Sequence, residues 1–243
     1  MGSEIPVPVL NKPHWRVNFR PEYYEKELIG SLAECFQIIE QTKVRLRGWD
    51  YPHLSRHTEQ REYGKDWVGS WSLFGQHSEY WRFYQSGQFL HFLGVRESVD
   101  LGWRQKLENL TKGHLEHLTI DWTKVPGYIS ILNFLYTVTE IFEFAARMCQ
   151  KGVYKGKILI TIEIKGIKGF ILTTEWNRAW FDCYAASEDI LGKTWELDST
   201  DLVTESPVHS LNTVFWFFER FGWLDPAVEV FREDQENFLK GRL

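Results

Sequence analysis

Apolar and polar positions alternate from His14 to Arg20, the period of a half-buried strand, and Pro21 follows where a helix can begin. From there Tyr24, Leu28, Leu32, Cys35, Phe36 and Ile39 recur at helical spacing, with Glu25, Lys26 and Glu34 on other faces, which predicts an amphipathic surface helix. Residues 45–53 leave that helix, and the polar stretch 55–65, lacking apolar periodicity, reads as a long exposed loop. Trp67–Phe74 alternates again, and residues 79–85 and 88–96 flank Ser86-Gly87 as a hairpin, so an antiparallel meander is expected. Residues 97–112 predict a helix containing Leu101, Leu107 and Leu110, closed by Gly113.

Residues 128–149 are apolar around most of a helix, apart from a narrow stripe of Asn133, Thr137, Glu140 and Arg147, and so predict a central helix covered on several sides. Ile158, Ile160, Ile162 and Ile164 share one face of a strand over 157–165, and residues 168–175 are expected to return beside it after the Gly166 to Gly169 turn. Shorter strands are expected at 180–185 and 193–198. Ser206-Pro207 marks a helix start ahead of Val208, Leu211, Phe215, Phe218 and Phe221, with Gly222 ending it, and Asp225-Pro226 repeats the signal for a C-terminal helix. The sum is an α+β fold: antiparallel hairpins in two halves packed on a long central helix and closed by C-terminal helices. Residues 1–243 are expected to form one unit, with lobes at 1–120 and 121–243.

Composition fits a folded soluble domain, with 43% hydrophobic and 25% charged residues. Aromatic residues are abundant, with 12 Trp, 10 Tyr and 17 Phe, so the core must pack many large rings. A net charge of -5 opposes a surface that grips phosphate everywhere and confines any nucleic-acid contact to a local patch. Cys35, Cys149 and Cys183 are far apart and lack metal or redox spacing, which reads as reduced thiols in a cytoplasmic protein. The start has no basic region followed by an apolar run, and the 128–149 segment carries charges too costly for a bilayer, so no membrane anchor is expected.

The chemistry-bearing positions are concentrated in Arg45-Leu-Arg-Gly-Trp-Asp-Tyr-Pro-His53 and in the strand that holds Trp81, Arg82, Tyr84 and Gln85. Arg45, Arg47, Trp49, Asp50, Tyr51 and His53 mix guanidinium, ring, carboxylate and imidazole groups suited to gripping phosphates or stacking bases. The competing account is structural, with Trp49 plugging the core and Asp50 pairing with an arginine. No nucleophile elbow, P-loop, dinucleotide fingerprint or metal-ligand set accompanies them, so no cofactor, metal or catalytic residue is assigned. Glu163-Ile-Lys165 imitates half of a magnesium-dependent nuclease site but lacks the second carboxylate, and strand alternation with lysines that discourage edge pairing explains it as well. His53 with His57 and Glu59, and His114 with Glu116 and His117, read as solvated histidines. Glu140 and Glu143 become acids only if desolvated. Lys151, Lys155, Lys157, Lys165 and Lys168 form a local basic stretch, read as a solvated face or a phosphate contact.

The strings His14-Trp-Arg-Val-Asn-Phe-Arg-Pro21, 45–53, 81–89, Thr139-Glu-Ile-Phe-Glu-Phe-Ala-Ala-Arg147 and Phe218-Glu-Arg-Phe-Gly-Trp223 resemble a region associated with bacterial Schlafen-type proteins that carry an AlbA-like DNA-binding domain. The AlbA-like domain itself is not among these strings. The resemblance implies an accessory module of a nucleic-acid-related or defence-related bacterial system and brings no catalytic residue. The leading expectation is therefore a non-enzymatic module that recognises a protein or nucleic-acid partner through Arg45 to His53 and Trp81 to Gln85. The alternatives are a nuclease-like enzyme at Glu163 and Lys165, and a small-molecule sensor with a ring-lined pocket.

Overall fold

Strands from both ends of the chain meet in one antiparallel sheet in the computed structural model, which describes residues 7–55, 57–75, 77–99, 102–114, 121–174 and 182–242. In chain order the elements are α1 (Val7–Leu10), β1 (His14–Pro21), α2 (Leu32–Thr42), β2 (Val44–Arg45), β3 (Asp50–Tyr51), β4 (Arg61–Tyr63), β5 (Trp67–Phe74), β6 (His77–Tyr84), β7 (Phe89–Gly94), α3 (Arg96–Val99) and α4 (Trp103–His114). There follow β8 (Tyr128–Ser130), α5 (Ile131–Gln150), β9 (Lys157–Lys165), β10 (Ile171–Thr173), β11 (Ile190–Asp198), α6 (Ser199–Arg220) and α7 (Val228–Leu239). The seven-stranded sheet runs β11-β9-β1-β7-β6-β5-β4, so β1 joins strands from either side of residue 121. The architecture is α+β, as the periodicities predict.

The core lies between one sheet face and the pair α5 and α6. Period-two alternation turns Trp15, Val17 and Phe19 of β1 and the four isoleucines of β9 to this face. Each buried isoleucine contributes about 1.5–3 kcal/mol over an exposed one. The rings meet edge to face: Trp15 on Phe134 with centroids 4.7 Å apart, Phe134 on Phe217 at 5.4 Å, and Phe89 on Phe144 at 4.9 Å. Buried Gln235 of α7 donates to Thr139 Oγ1 of α5 (3.1 Å) and Ser210 Oγ of α6 (2.7 Å), tying three helices through satisfied polar groups. Cys35 and Cys149 lie inside, and burial pushes both thiols up to about 12. No helix among the described residues is long and apolar enough to cross a membrane.

Several local expectations are corrected. The helix expected after β1 begins only at Leu32, as α2, and Pro21 ends β1 instead of opening a helix. Ser31 Oγ accepts from Glu34 N (3.1 Å), while Ile29 and Gln85 exchange two 2.9 Å bonds that hold the preceding segment against the end of β6. Ser31→Ala removes this cap and is expected to cost about 1 kcal/mol in a urea melt. The stretch 55–65 contains a 3-10 turn at Thr58–Gln60 and edge strand β4. The helix expected at 97–112 is divided into α3 and α4, and the central helix starts three residues late because Tyr128–Ser130 pairs as a strand.

The largest correction concerns the second hairpin. Residues 171–173 do not return along β9; they pair in parallel with β8 in a separate two-stranded sheet. Both edges of β9 are taken, by β1 and β11, so its lysines do not guard an exposed edge. Gly166, at φ +77°, starts a turn in which Gly166 N and Ile167 N donate to Asp189 O, committing the chain towards β11. The strand expected at 180–185 falls partly outside the described residues, and Ala185 makes a single bridge to Ile171. The helix start read at Ser206-Pro207 is a restart: α6 begins at Ser199, capped by Asp198, and bends where Glu205 leaves helical geometry.

Candidate functional site

The hairpin β2–β3 turns through Gly48, whose φ of +72° suits a residue without Cβ. This turn holds Arg47 over the polar stripe of α5. Asn133, Thr137 and Glu140 lie one helical turn apart on one face. Arg47 Nε donates to Glu140 Oε2 (3.0 Å), and its Nη2 reaches the same oxygen and Thr137 Oγ1 (3.2 Å). Trp49 stacks on His53 with centroids 4.4 Å apart and approaches His77 at 4.9 Å and Phe74 at 6.3 Å.

Beneath this hairpin a second polar group is built from β6 and β7. Glu79 and His91 fall on the core-facing phase of their strands, in step with Trp81 and Phe89. Glu79, 2% exposed, accepts from His53 N (2.9 Å), lies 2.6 Å from His77 Nε2, and has His91 Nε2 2.9 Å away. Tyr51 OH and His91 Nδ1 share a 3.0 Å hydrogen bond, completing a line from Tyr51 through His91 and Glu79 to His77. Burial alone would raise the Glu79 carboxyl, yet hydrogen bonds and charge from His77 and His91 hold it well below the usual carboxylate range. The His53 imidazole is lowered as well, because its burial outweighs the pull of Glu79.

These groups surround a cavity of about 380 Å3, bounded by the hairpin turn, the start of β6, α3 and the first half of α5. Trp15, Trp49, Phe74 and Phe134 supply ring walls, and Glu79, Glu97, Glu140, Arg47 and His77 supply ionisable groups. Glu97 accepts at Oε1 from Ser130 N (3.1 Å) and Asn133 Nδ2 (2.8 Å), fastening α3 to the start of α5. Burial raises both the Glu97 and Glu140 carboxyls, opposed at Glu140 mainly by Arg47 and at Glu97 by Asn133. A second cavity of about 820 Å3 shares Trp49, Asp50 and Phe74 with the first and carries Lys43, Arg45 and Arg61.

The ten residues expected on one partner surface do not share one surface. Arg47, Trp49, Asp50 and Tyr51 line the cavity, with His53 stacked behind Trp49. Tyr51 and Trp81 are buried, Trp81 completely, with its Nε1 donating to His53 O (2.7 Å), so neither presents a surface. Their bulk and in-phase position on core strands outweighed any exposure. Arg45, 65% exposed, pairs with Asp50 (2.7 Å), which also holds Lys43 (3.0 Å). Arg82 and Tyr84 occupy the opposite sheet face, Arg82 lying 4.1 Å over the Trp67 ring, and Gln85 latches Ile29. Sequence reasoning missed His77, Glu79, His91 and Glu97; for the first three the available signal was a polar side chain on the inward phase of apolar strands, and Glu97, on α3, gave none.

Glu163 lies on the outer face with Arg16 (2.9 Å) and Lys165 (3.1 Å), away from the cavity. Among the described residues no three His, Cys, Asp or Glu side chains are grouped to hold a metal ion. His57 is exposed, and Glu116 and His117 lie outside the described residues. Glu143 accepts from Ser206 Oγ. In the basic stretch, Lys157 pairs with Glu196 and Lys165 with Glu163, while Lys151, Lys155 and Lys168 are exposed. No protein-family model, curated protein or solved structure matches this chain, and its functional assignment rests on the geometry above.

Proposed function

We propose that the chain binds a small molecule in the cavity between the β2–β3 hairpin and α5, acting as a ligand-recognition module. One observation carries the reading: Arg47 and three buried carboxylates converge on a single ring-walled cavity of about 380 Å3. Small-molecule sites have this composition and a volume of roughly 300–1,000 Å3, and structural cores rarely gather so many ionisable groups around empty space. Burying these carboxylates costs stability unless something is gained. A bound ligand recovers it by mass action, about 2.7 kcal/mol when present at one hundred times its Kd.

The test is a metabolite and fragment panel scored by melting temperature, repeated on Trp49→Ala. At least one chemical class is expected to raise the melting temperature of the wild-type protein, with affinity reduced about tenfold, or about 1.4 kcal/mol, when the Trp49 wall is removed. A panel without hits, or hits indifferent to Trp49→Ala, removes the reading.

A second reading, recognition of a protein or nucleic acid, draws on the exposure of Arg45 and on Arg82 and Tyr84 standing together on the outer sheet face. The Schlafen-type resemblance belongs with it. Nucleic acid that co-purifies with the protein and is released by high salt is the result that would favour it, because phosphate contacts weaken steeply with salt.

A further inference from the structure

Glu97 and Glu140 are 7% and 2% exposed, and each has one carboxylate oxygen engaged. At Glu97 the engaged atom is Oε1, bonded by Ser130 N and Asn133 Nδ2; at Glu140 it is Oε2, bonded twice by Arg47. Glu97 Oε2 and Glu140 Oε1 have no hydrogen-bond or ion-pair partner among the described residues. Neither oxygen is sealed off as a buried polar atom without a partner, and both residues line the same cavity. Two carboxylates that are more than nine-tenths buried thus each present a bare acceptor to the same space.

The surrounding charges decide what that space accepts. Arg47 is committed to Glu140 and Thr137. Glu79 is already met by His77 and His91, and Asp50 by Lys43 and Arg45. Arg96 is exposed at the cavity, and no ion pair joins it to Glu97. The direct partners of Glu97 are neutral donors, and the charge of neighbouring Arg96 acts on it without an ion-pair contact. An anionic ligand would meet two free acceptors, whereas an ammonium or guanidinium group donates to the second oxygen of each carboxylate, Glu140 keeping Arg47 on its first. The rings of Trp49, Phe74 and Phe134 that line the cavity also favour a cation and its alkyl chain.

The spacing constrains the ligand further. Glu97 is tied to Asn133, and Glu140 lies seven residues along the same helix, a rise of about 10 Å. Resting on the small-molecule reading above, we infer that the cavity takes a linear organic dication, an aliphatic diamine, polyamine or amino-guanidine, with one charged end at Glu97 and the other at Glu140. The alkyl middle lies along the aromatic walls.

Titration calorimetry with putrescine, cadaverine, agmatine and spermidine, against n-butylamine and 1,4-butanediol, tests this on the wild-type chain. The best dication is expected to bind at least tenfold more tightly than n-butylamine, and the diol not at all. Glu97→Gln keeps the acceptor that holds Ser130 and should reduce dication affinity tenfold or more while n-butylamine binding changes less. Should that variant fold poorly, Glu97→Asp, which keeps charge but shortens reach, should shift the preference among chain lengths. Equal affinity for mono- and diamine, or no binding by any of the four dications, overturns the inference. If neutral or anionic compounds from the broader panel bind through Trp49 while dications do not, the inference fails and the small-molecule reading stands.

Discussion

Replacing Glu79 by Ala is expected to destabilise the fold by about 3–5 kcal/mol, measured by urea unfolding, the scale seen when one partner of a buried ionic group is deleted. The reason is the number of groups left behind. His53 N, His77 Nε2 and the fully buried His91 all turn towards this carboxylate, and no water-exposed substitute is available to His91. Against a total stability of roughly 5–15 kcal/mol for a domain, the loss leaves the native state marginal.

The same residue sets an acid limit. The Glu79 carboxyl sits below its ordinary value of 4.5 in the folded chain, so its contribution is fully present above that value and declines as pH falls. Glu97 and Glu140 have the opposite sign: burial raises their carboxyls, so folding favours their protonated forms and loses that advantage as pH rises through the shifted values. The measurement is therefore a difference curve. Stability of the wild-type chain minus that of Glu79→Gln should grow from acid towards neutral pH, and a flat difference would refute the role assigned to Glu79.

Trp81→Ala should lose about 3–5 kcal/mol, as large aromatic deletions from packed cores do. Trp81 is fully buried, in contact with Phe89 and bonded to His53 O, and it supports the strand position from which His53 N reaches Glu79. Trp81→Phe separates packing from hydrogen bonding. It keeps most of the ring but leaves the His53 carbonyl without its donor, at a cost of about 1–3 kcal/mol. A surface tryptophan would change stability by no more than about 0.5 kcal/mol, and that outcome in urea melts would return Trp81 to a partner surface.

The cavity was only half legible in the chain. Arg47 and Trp49 stand out because charge and ring crowd a short segment around a glycine, and Glu140 because it interrupts an apolar helix. His77, Glu79 and His91 carried a weaker signal. A polar residue on a strand is ordinary, and only its phase relative to Trp81 and Phe89 marks it as inward. Glu97 gave none, since its role depends on α3 meeting the start of α5, more than thirty residues away.

Local pattern by itself determined the strands 67–74 and 157–165, the long apolar helix, the Gly-centred turns and the α+β class, because burial on one face imposes a period of two or 3.6 wherever the element packs. Tertiary structure alone decided partners. The alternating isoleucines of β9 are equally compatible with any neighbour, and it took the completed sheet to place β1 and β11 beside them and send residues 171–173 to β8. It decided the site for the same reason. Periodicity states that a side chain is buried, whereas only the packing of hairpin, strands and helix fixes which charges are buried together and around what space.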